Sequence, residues 1–246
     1  MEIAEYVDEL ERAGTQLARA ARLVALDAAV PPCPGWTVSD LVRHTTRVHQ
    51  WATSIVQGGA REEFQFDRPD DDSVLAVYDR GLTGLLAALR SAPADLEVWT
   101  FLPAESALAF WARRQAHETA IHRVDADLAS GMGGSEVDPD FAADGIAELL
   151  VGLIPGRFRL SGVTGVHSIT VTPVDVNRAW TISIGPDSVA TVEEASDGSD
   201  LNIFGMASDL YRWVWNRAGD DEVALRGDLK LADLWHHSFK IGDKRE

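Results

Sequence analysis

The chain has 246 residues, 46% hydrophobic and 25% charged, with a net charge of −17. That is the composition of an ordinary globular protein, long enough for one large domain or two small ones. It argues against unassisted binding to nucleic acid or anionic lipid, which need a basic face. No apolar run reaches the length of a membrane span, and the acidic, amphipathic start is unlike a signal peptide, so a cytoplasmic location is expected. A single cysteine, Cys33, excludes an internal disulfide and any multi-cysteine metal site.

Residues 3–26 read as an amphipathic helix, with Ile3, Tyr6, Leu10, Leu17 and Val24 at helical spacing. A proline-rich break, Val30 to Trp36, follows. Thr37 is a suitable N-cap, with Asp40 completing an acidic variant of the capping box, for a second helix running to about Val56 before Gly58-Gly59. Residues 57–72 form a charged loop. Asp72 can cap a third helix carrying Val74, Val77, Leu82, Leu85 and Leu89, and residues 105–130 give a long fourth one. Four such helices suggest an antiparallel four-helix bundle. Asp138-Pro139 opens a short further helix, a cap followed by proline at the first helical position.

Past Pro155-Gly156 the period changes. Residues 167–174, 178–184 and 187–194 alternate and are β-branched, with Leu201–Phe204 a candidate fourth strand. Helical patterns return at 206–217 and 229–239. The expectation is an α+β two-domain chain, with a helical bundle over 1–154 and a small α+β domain, mainly antiparallel, over 155–246.

Glu118 and His122 lie four residues apart, on one face of a predicted helix, where carboxylate and imidazole can share a metal ion. Alone the pair also suits a solvated or ion-paired face. His44 adds to it, standing on the otherwise apolar stripe Leu41, His44, Val48, Trp51, Ile55 of the second helix. A histidine there is either a buried group satisfied by one hydrogen bond or a ligand inside the bundle. With helices two and four adjacent, His44, Glu118 and His122 form a three-ligand set with an open fourth position, the catalytic pattern for zinc. Nickel, manganese and iron also accept such ligands. Asp125 reads either as the orienting partner of His122 or as a surface carboxylate, and Arg114 as an ordinary helix ion pair with Glu118. His49 and His117 read as surface or packing residues. His236 and His237 have no carboxylate at ligand spacing.

These residues bring the chain to a known family. The segment Pro32-Cys33-Pro34-Gly35-Trp36-Thr37-Val38-Ser39-Asp40-Leu41-Val42-Arg43-His44 resembles a signature of the mycothiol-dependent maleylpyruvate isomerase family. Phe110 to Arg114, with His117-Glu118-Thr119-Ala120-Ile121-His122-Arg123-Val124-Asp125, resembles a second. Ala207-Ser208-Asp209-Leu210, Trp213 to Arg217 and Arg226-Gly227-Asp228 resemble the family's C-terminal domain. The resemblance implies a DinB-like metal-binding bundle followed by a domain similar to sterol carrier protein folds. It also implies zinc, or another divalent metal, on His44, Glu118 and His122. The cofactor it implies is mycothiol, a sugar–cysteine thiol activated on that metal for addition to the double bond of an electrophile such as maleylpyruvate. Arg217 is the candidate cation for a substrate carboxylate; its other reading is a helix C-terminal arginine satisfying end carbonyls. Cys33 reads as structural, since no activating neighbour is visible.

Three functions follow: a mycothiol-dependent isomerase or S-transferase, a DinB-like metal hydrolase using the open position for water, and a non-enzymatic small-molecule binding or stress protein. The expected partners are a low-molecular-weight thiol and a small electrophile, with no nucleic acid and no membrane, for a monomer or homodimer. The 57–72 loop and the 97–105 segment are the expected determinants of substrate.

Overall fold

The structure is a computed structural model that describes residues 1–60, 64–66, 68–155 and 163–238. It divides into two compact units, Met1–Ser135 and Glu136–Glu246. The division therefore falls ahead of the boundary expected at 154/155. The helix opened by Asp138-Pro139 packs against a helix of the second unit, so it belongs with the sheet and not with the bundle.

The first unit holds α1 (Ile3–Ala21), α2 (Val38–Val56), α3 (Val74–Ser91) and α4 (Ala107–Ala129). Helix α1 stops at Ala21, short of the expected 26. At α2 the predicted capping box forms: Asp40 N–H donates to Thr37 Oγ1 at 3.2 Å, and Thr37 N–H to Asp40 Oδ2 at 3.1 Å. The N-cap of α3 is Ser73 rather than Asp72, with the Asp70 carboxylate accepting the Ser73 N–H at 3.0 Å. Helix α4 starts behind Ser106, whose hydroxyl accepts the Ala109 N–H at 3.1 Å.

Helix α1 packs on α4 and α3, and α2 on α3 and α4. Sequence neighbours α1 and α2 thus lie on a diagonal, as do α3 and α4, which requires the long connections 22–37 and 92–106. Leu10 and Leu17 are fully buried, each contributing roughly 1.5–3 kcal/mol. At Gly14 a Cβ would come within 2.6 Å of the Leu82 side chain, so glycine lets α1 and α3 approach closely.

Helix α4 is buried around nearly its whole circumference although it carries Arg114, His117, His122, Arg123, Asp125 and Asp127. Charged groups so placed need partners. Arg123 and Asp127 supply one pair at 3.1 Å, reinforced by Ser135 Oγ donating to Asp127 at 2.8 Å. Arg114 with Glu118 and His122 with Asp125 supply others.

The second unit opens with α5 (Pro139–Ala147), where Asp138 Oδ1 accepts the N–H groups of Asp140 and Phe141 as its sequence predicts. A π-helical turn follows over Glu148–Leu153. Strands β1 (His167–Pro173), β2 (Trp180–Ile184), β3 (Val189–Val192), β4 (Leu201–Gly205) and β5 (Ala224–Gly227) form one sheet in the order β3-β2-β1-β4-β5. Only β1 and β4 pair in parallel. Ile169, Val171, Trp180, Ile182, Leu201 and Ile203 share one buried face through this register. Helix α6 (Ala207–Val214) packs against β1 and β4, and α7 (Lys230–Ser238) brings Trp235 onto Trp213.

Strand β5 is absent from the sequence-based expectation. Its last residue explains the Arg226-Gly227-Asp228 motif. Gly227 has φ of 125°, and a Cβ there would lie 2.0 Å from the Asp200 carbonyl oxygen, which accepts the Asp228 N–H at 2.8 Å. Of the expected segments, part of the 57–72 loop, Gly156 and residue 239 lie outside the described residues. Among those described, no helix is long and apolar enough to cross a membrane.

Candidate metal centre

Helices α2 and α4 meet along an antiparallel seam. His44 faces Glu118 at one level, and Trp51, two turns along α2, meets Trp111, two turns back along α4, with ring centroids 5.2 Å apart. The adjacency required of helices two and four is therefore met. The buried stripe of α2, however, runs through Val42, Thr45, His49 and Ala52, and His44 sits half-buried at its edge. Thr45 and Thr46 belong to that stripe because their hydroxyls donate back to the Leu41 and Val42 carbonyls, at 2.9 and 2.7 Å.

His44, Glu118 and His122 each offer a ligand atom, and these atoms lie within 4.8 Å of one another. Glu118 Oε1 is the shared point, 3.2 Å from His44 Nε2 and 3.3 Å from His122 Nε2. Tetrahedral coordination with bonds of ~2.0–2.1 Å places ligand atoms about 3.3–3.4 Å apart, so the two distances to Glu118 and the donor types fit a divalent cation such as zinc, with the two imidazole nitrogens within 4.8 Å of each other.

Two of the three candidate ligands, Glu118 and His122, are braced from behind. Arg114, which is buried, donates to Glu118 Oε2 at 2.8 Å, leaving Oε1 toward the imidazoles. The helix ion pair expected of Arg114 and Glu118 is therefore present, and its Arg114 end is buried. His122 Nδ1 lies 2.8 Å from Asp125 Oδ2, and Asp125 is fully buried. Of its two readings, the orienting partner is the one that the geometry supports. The Trp36 ring tilts against His44 at 4.9 Å and stacks on His122 at 6.3 Å. Arg43 anchors the described end of the 57–72 loop by donating to the Pro69 carbonyl at 2.8 Å.

The electrostatics follow from these contacts. Burial opposes the charge on Glu118, but hydrogen bonds from His122 and His44, with the Arg114 charge, outweigh it and hold the carboxyl well below its usual range. Burial likewise opposes the charge on His122, and its bonds to Asp125 and Glu118 overcome it, raising the pKa to about 9. A metal binding at Nε2 would have to displace a proton from that ring.

His49 stands apart. It is fully buried, its Nε2 lies 2.8 Å from Thr119 Oγ1, and burial pushes its pKa down to about 3, so it is a neutral core imidazole. His117 is also fully buried, edge-on to Tyr6 at 6.2 Å. Both are packing residues, not surface ones. Arg217 lies in the second unit, half-buried, with its guanidinium donating to the Trp215 carbonyl at 2.6 Å at the end of α6. The 92–106 connection lines an open cavity of about 460 Å³ with Glu97, Trp99, Thr100 and Ser106. It sits by the start of α4, roughly 16 Å of helix rise from Glu118.

Residues 7–127 match the mycothiol maleylpyruvate isomerase N-terminal domain, and residues 140–234 match the MDMPI C-terminal domain. The chain belongs to this family. It is similar to the crystal structure of the mycothiol-dependent maleylpyruvate isomerase at 13% identity and a TM-score of 0.62, over 92% of this chain and 93% of that one. A histidine-to-alanine mutant of that isomerase gives a TM-score of 0.61 at the same identity and coverage. At such identity the likeness carries the fold. No curated protein matches the chain.

Proposed function

We propose that this family member is a metal-dependent, thiol-using cytoplasmic enzyme, a mycothiol-dependent isomerase or S-transferase acting on a small electrophile. Zinc is the first candidate for the metal and maleylpyruvate for the substrate. The observation that carries the reading is the gathering of His44 Nε2, His122 Nε2 and Glu118 Oε1 within 4.8 Å of one another, with His122 and Glu118 each braced by a further residue. A divalent ion seated there would lower the pKa of a thiol at its fourth position and so supply thiolate at neutral pH.

The chain's own residues set the conditions for that chemistry. Arg114 orients Glu118 and balances its charge, and Asp125 fixes the His122 ring. Trp36 lies against both imidazoles. Neither carboxylate is placed as a general base, because Glu118 is held by Arg114 and two imidazoles, and Asp125 by His122. That favours a thiol, whose free pKa of about 8.5 already lies near neutrality, over water, which starts much further from it. For a carboxylate-bearing electrophile, Arg217 is the proposed cation. Replacing it by Ala should raise KM for a charged substrate and leave that for a neutral one unchanged.

The test is metal content by native mass spectrometry after purification without an affinity tag, then turnover of a panel of electrophiles with and without mycothiol. Thiol-dependent turnover is the expected result. Hydrolysis at full rate without thiol would make the protein a metal hydrolase. A metal-free protein whose His44→Ala variant is equally stable and equally able to bind small molecules would make it a binding protein.

A further inference from the structure

The turn ahead of α2 touches the centre at two places. It is a compact unit: Ala29 bridges to Thr37, Val30 N–H donates to the Trp36 carbonyl, Cys33 N–H to the Val30 carbonyl and Trp36 N–H to the Cys33 carbonyl, the last three each at 3.0 Å. One contact is the Trp36 ring against both imidazoles. The other is Cys33, whose Sγ lies 3.5 Å from Asp125 Oδ2, the same oxygen that takes His122 Nδ1 at 2.8 Å.

We propose that Cys33 is a positioning residue of the metal centre: its S–H, donated to Asp125, holds the carboxylate that fixes the His122 ring with Nε2 toward Glu118. The proposal rests on the metal-site reading above. Its chemistry is that of a donor and not of a nucleophile. The sulfur faces a carboxylate rather than a cation, the opposite of the electropositive setting that activates a cysteine. Asp125 is fully buried, so its orientation is set by the protein groups around it. Cys33 and His122 approach one of its oxygens from different elements, the turn and α4. An S–H is a weak donor, so its loss should matter less than loss of Asp125 itself.

Zinc affinity by chelator competition and the visible spectrum of the cobalt-loaded protein test this. Cys33→Ala should weaken zinc about three- to tenfold, below the ~10–100-fold typical of losing an outer-shell partner, and should shift the cobalt bands. Cys33→Ser, which keeps a donor, should restore affinity to within about twofold, on the same argument. In an Asp125→Asn background, Cys33→Ala should have no further effect, because both act through one carboxylate. Unchanged affinity and spectrum in Cys33→Ala would overturn the proposal, as would a serine variant as weak as the alanine one or additive losses in the double variant. If the wild-type protein takes up no metal, the metal-site reading falls and this proposal with it. If it binds metal and Glu118→Ala does not, an indifferent Cys33 sinks this proposal alone.

Discussion

Each unit of the chain contains a histidine–carboxylate cluster, and the two differ in geometry. In the first, two imidazoles and a carboxylate bring one atom each within 4.8 Å of one another, and Arg114 and Asp125 brace Glu118 and His122. In the second there is one imidazole. His236 Nδ1 lies 2.5 Å from Asn216 Oδ1, and its Nε2 lies 3.0 Å from Asp220 Oδ1, which also accepts the Trp213 Nε1–H at 2.9 Å. Asn216 has φ of 60° and closes α6 in a Schellman turn, with its N–H on the Trp213 carbonyl and that of Arg217 on the Arg212 carbonyl. Both nitrogens of His236 therefore tie α7 to the end of α6. Its neighbour His237 bonds the Asp233 carbonyl at 2.7 Å instead. A histidine beside an aspartate marks no site by itself. What distinguishes a centre is the number of donor atoms that converge and whether each is held from behind.

The sharpest way to break this distinction is to remove the shared ligand. Glu118→Ala should lower zinc affinity on the order of a thousandfold, measured by chelator competition, because only two imidazoles remain. His236→Ala should leave zinc affinity unchanged. Equal losses would mean that the second cluster is as much a centre as the first. Next in size is Asp125→Asn, which keeps the shape of the side chain but changes what it offers to His122 Nδ1. It should weaken zinc about 10–100-fold. An unchanged affinity would show that convergence alone suffices, without bracing.

The first cluster was open to sequence reasoning and the second was not, for a physical reason. Glu118 and His122 share a helix, where spacing fixes a common face, and His44 stands at the edge of the buried stripe of a second helix. Asn216, Asp220 and His236 lie on a helix end, a turn and a later helix, with no periodicity linking them. Capping chemistry was legible at Thr37-Asp40 and Asp138-Pro139 because it is local. The inward face of α2 was misplaced by about a third of a turn. Thr45, Thr46 and His49 look polar, yet they satisfy themselves on the Leu41 and Val42 carbonyls and on Thr119. Helix α4 was harder, since a helix buried all round with paired charges has no polar face to find. Strand β5, four residues at the sheet edge, is too short for alternation to register. The link from Cys33 to Asp125 spans 92 residues of chain and has no sequence signal.

The smallest expected effect tests the second cluster as a lock. Burial pushes the Asp220 carboxyl up, but hydrogen bonds from His236 and Trp213, and the His236 charge, outweigh it and hold the group below its usual range. A folded pKa below the unfolded value means that the native state binds fewer protons. The contribution is therefore complete above the unfolded value, ~3.9, and is lost as pH falls through the folded one. Asp220 keeps 45% of its side chain exposed, so solvent screening holds the contribution below about 1 kcal/mol. His236→Ala should lower the urea midpoint of unfolding at pH 5, and the gap from wild type should narrow between pH 5 and pH 3 as Asp220 gains its proton. A gap that stays constant over that range would mean that His236 holds α7 by packing against Trp213, whose ring lies 4.8 Å away, and not through Asp220.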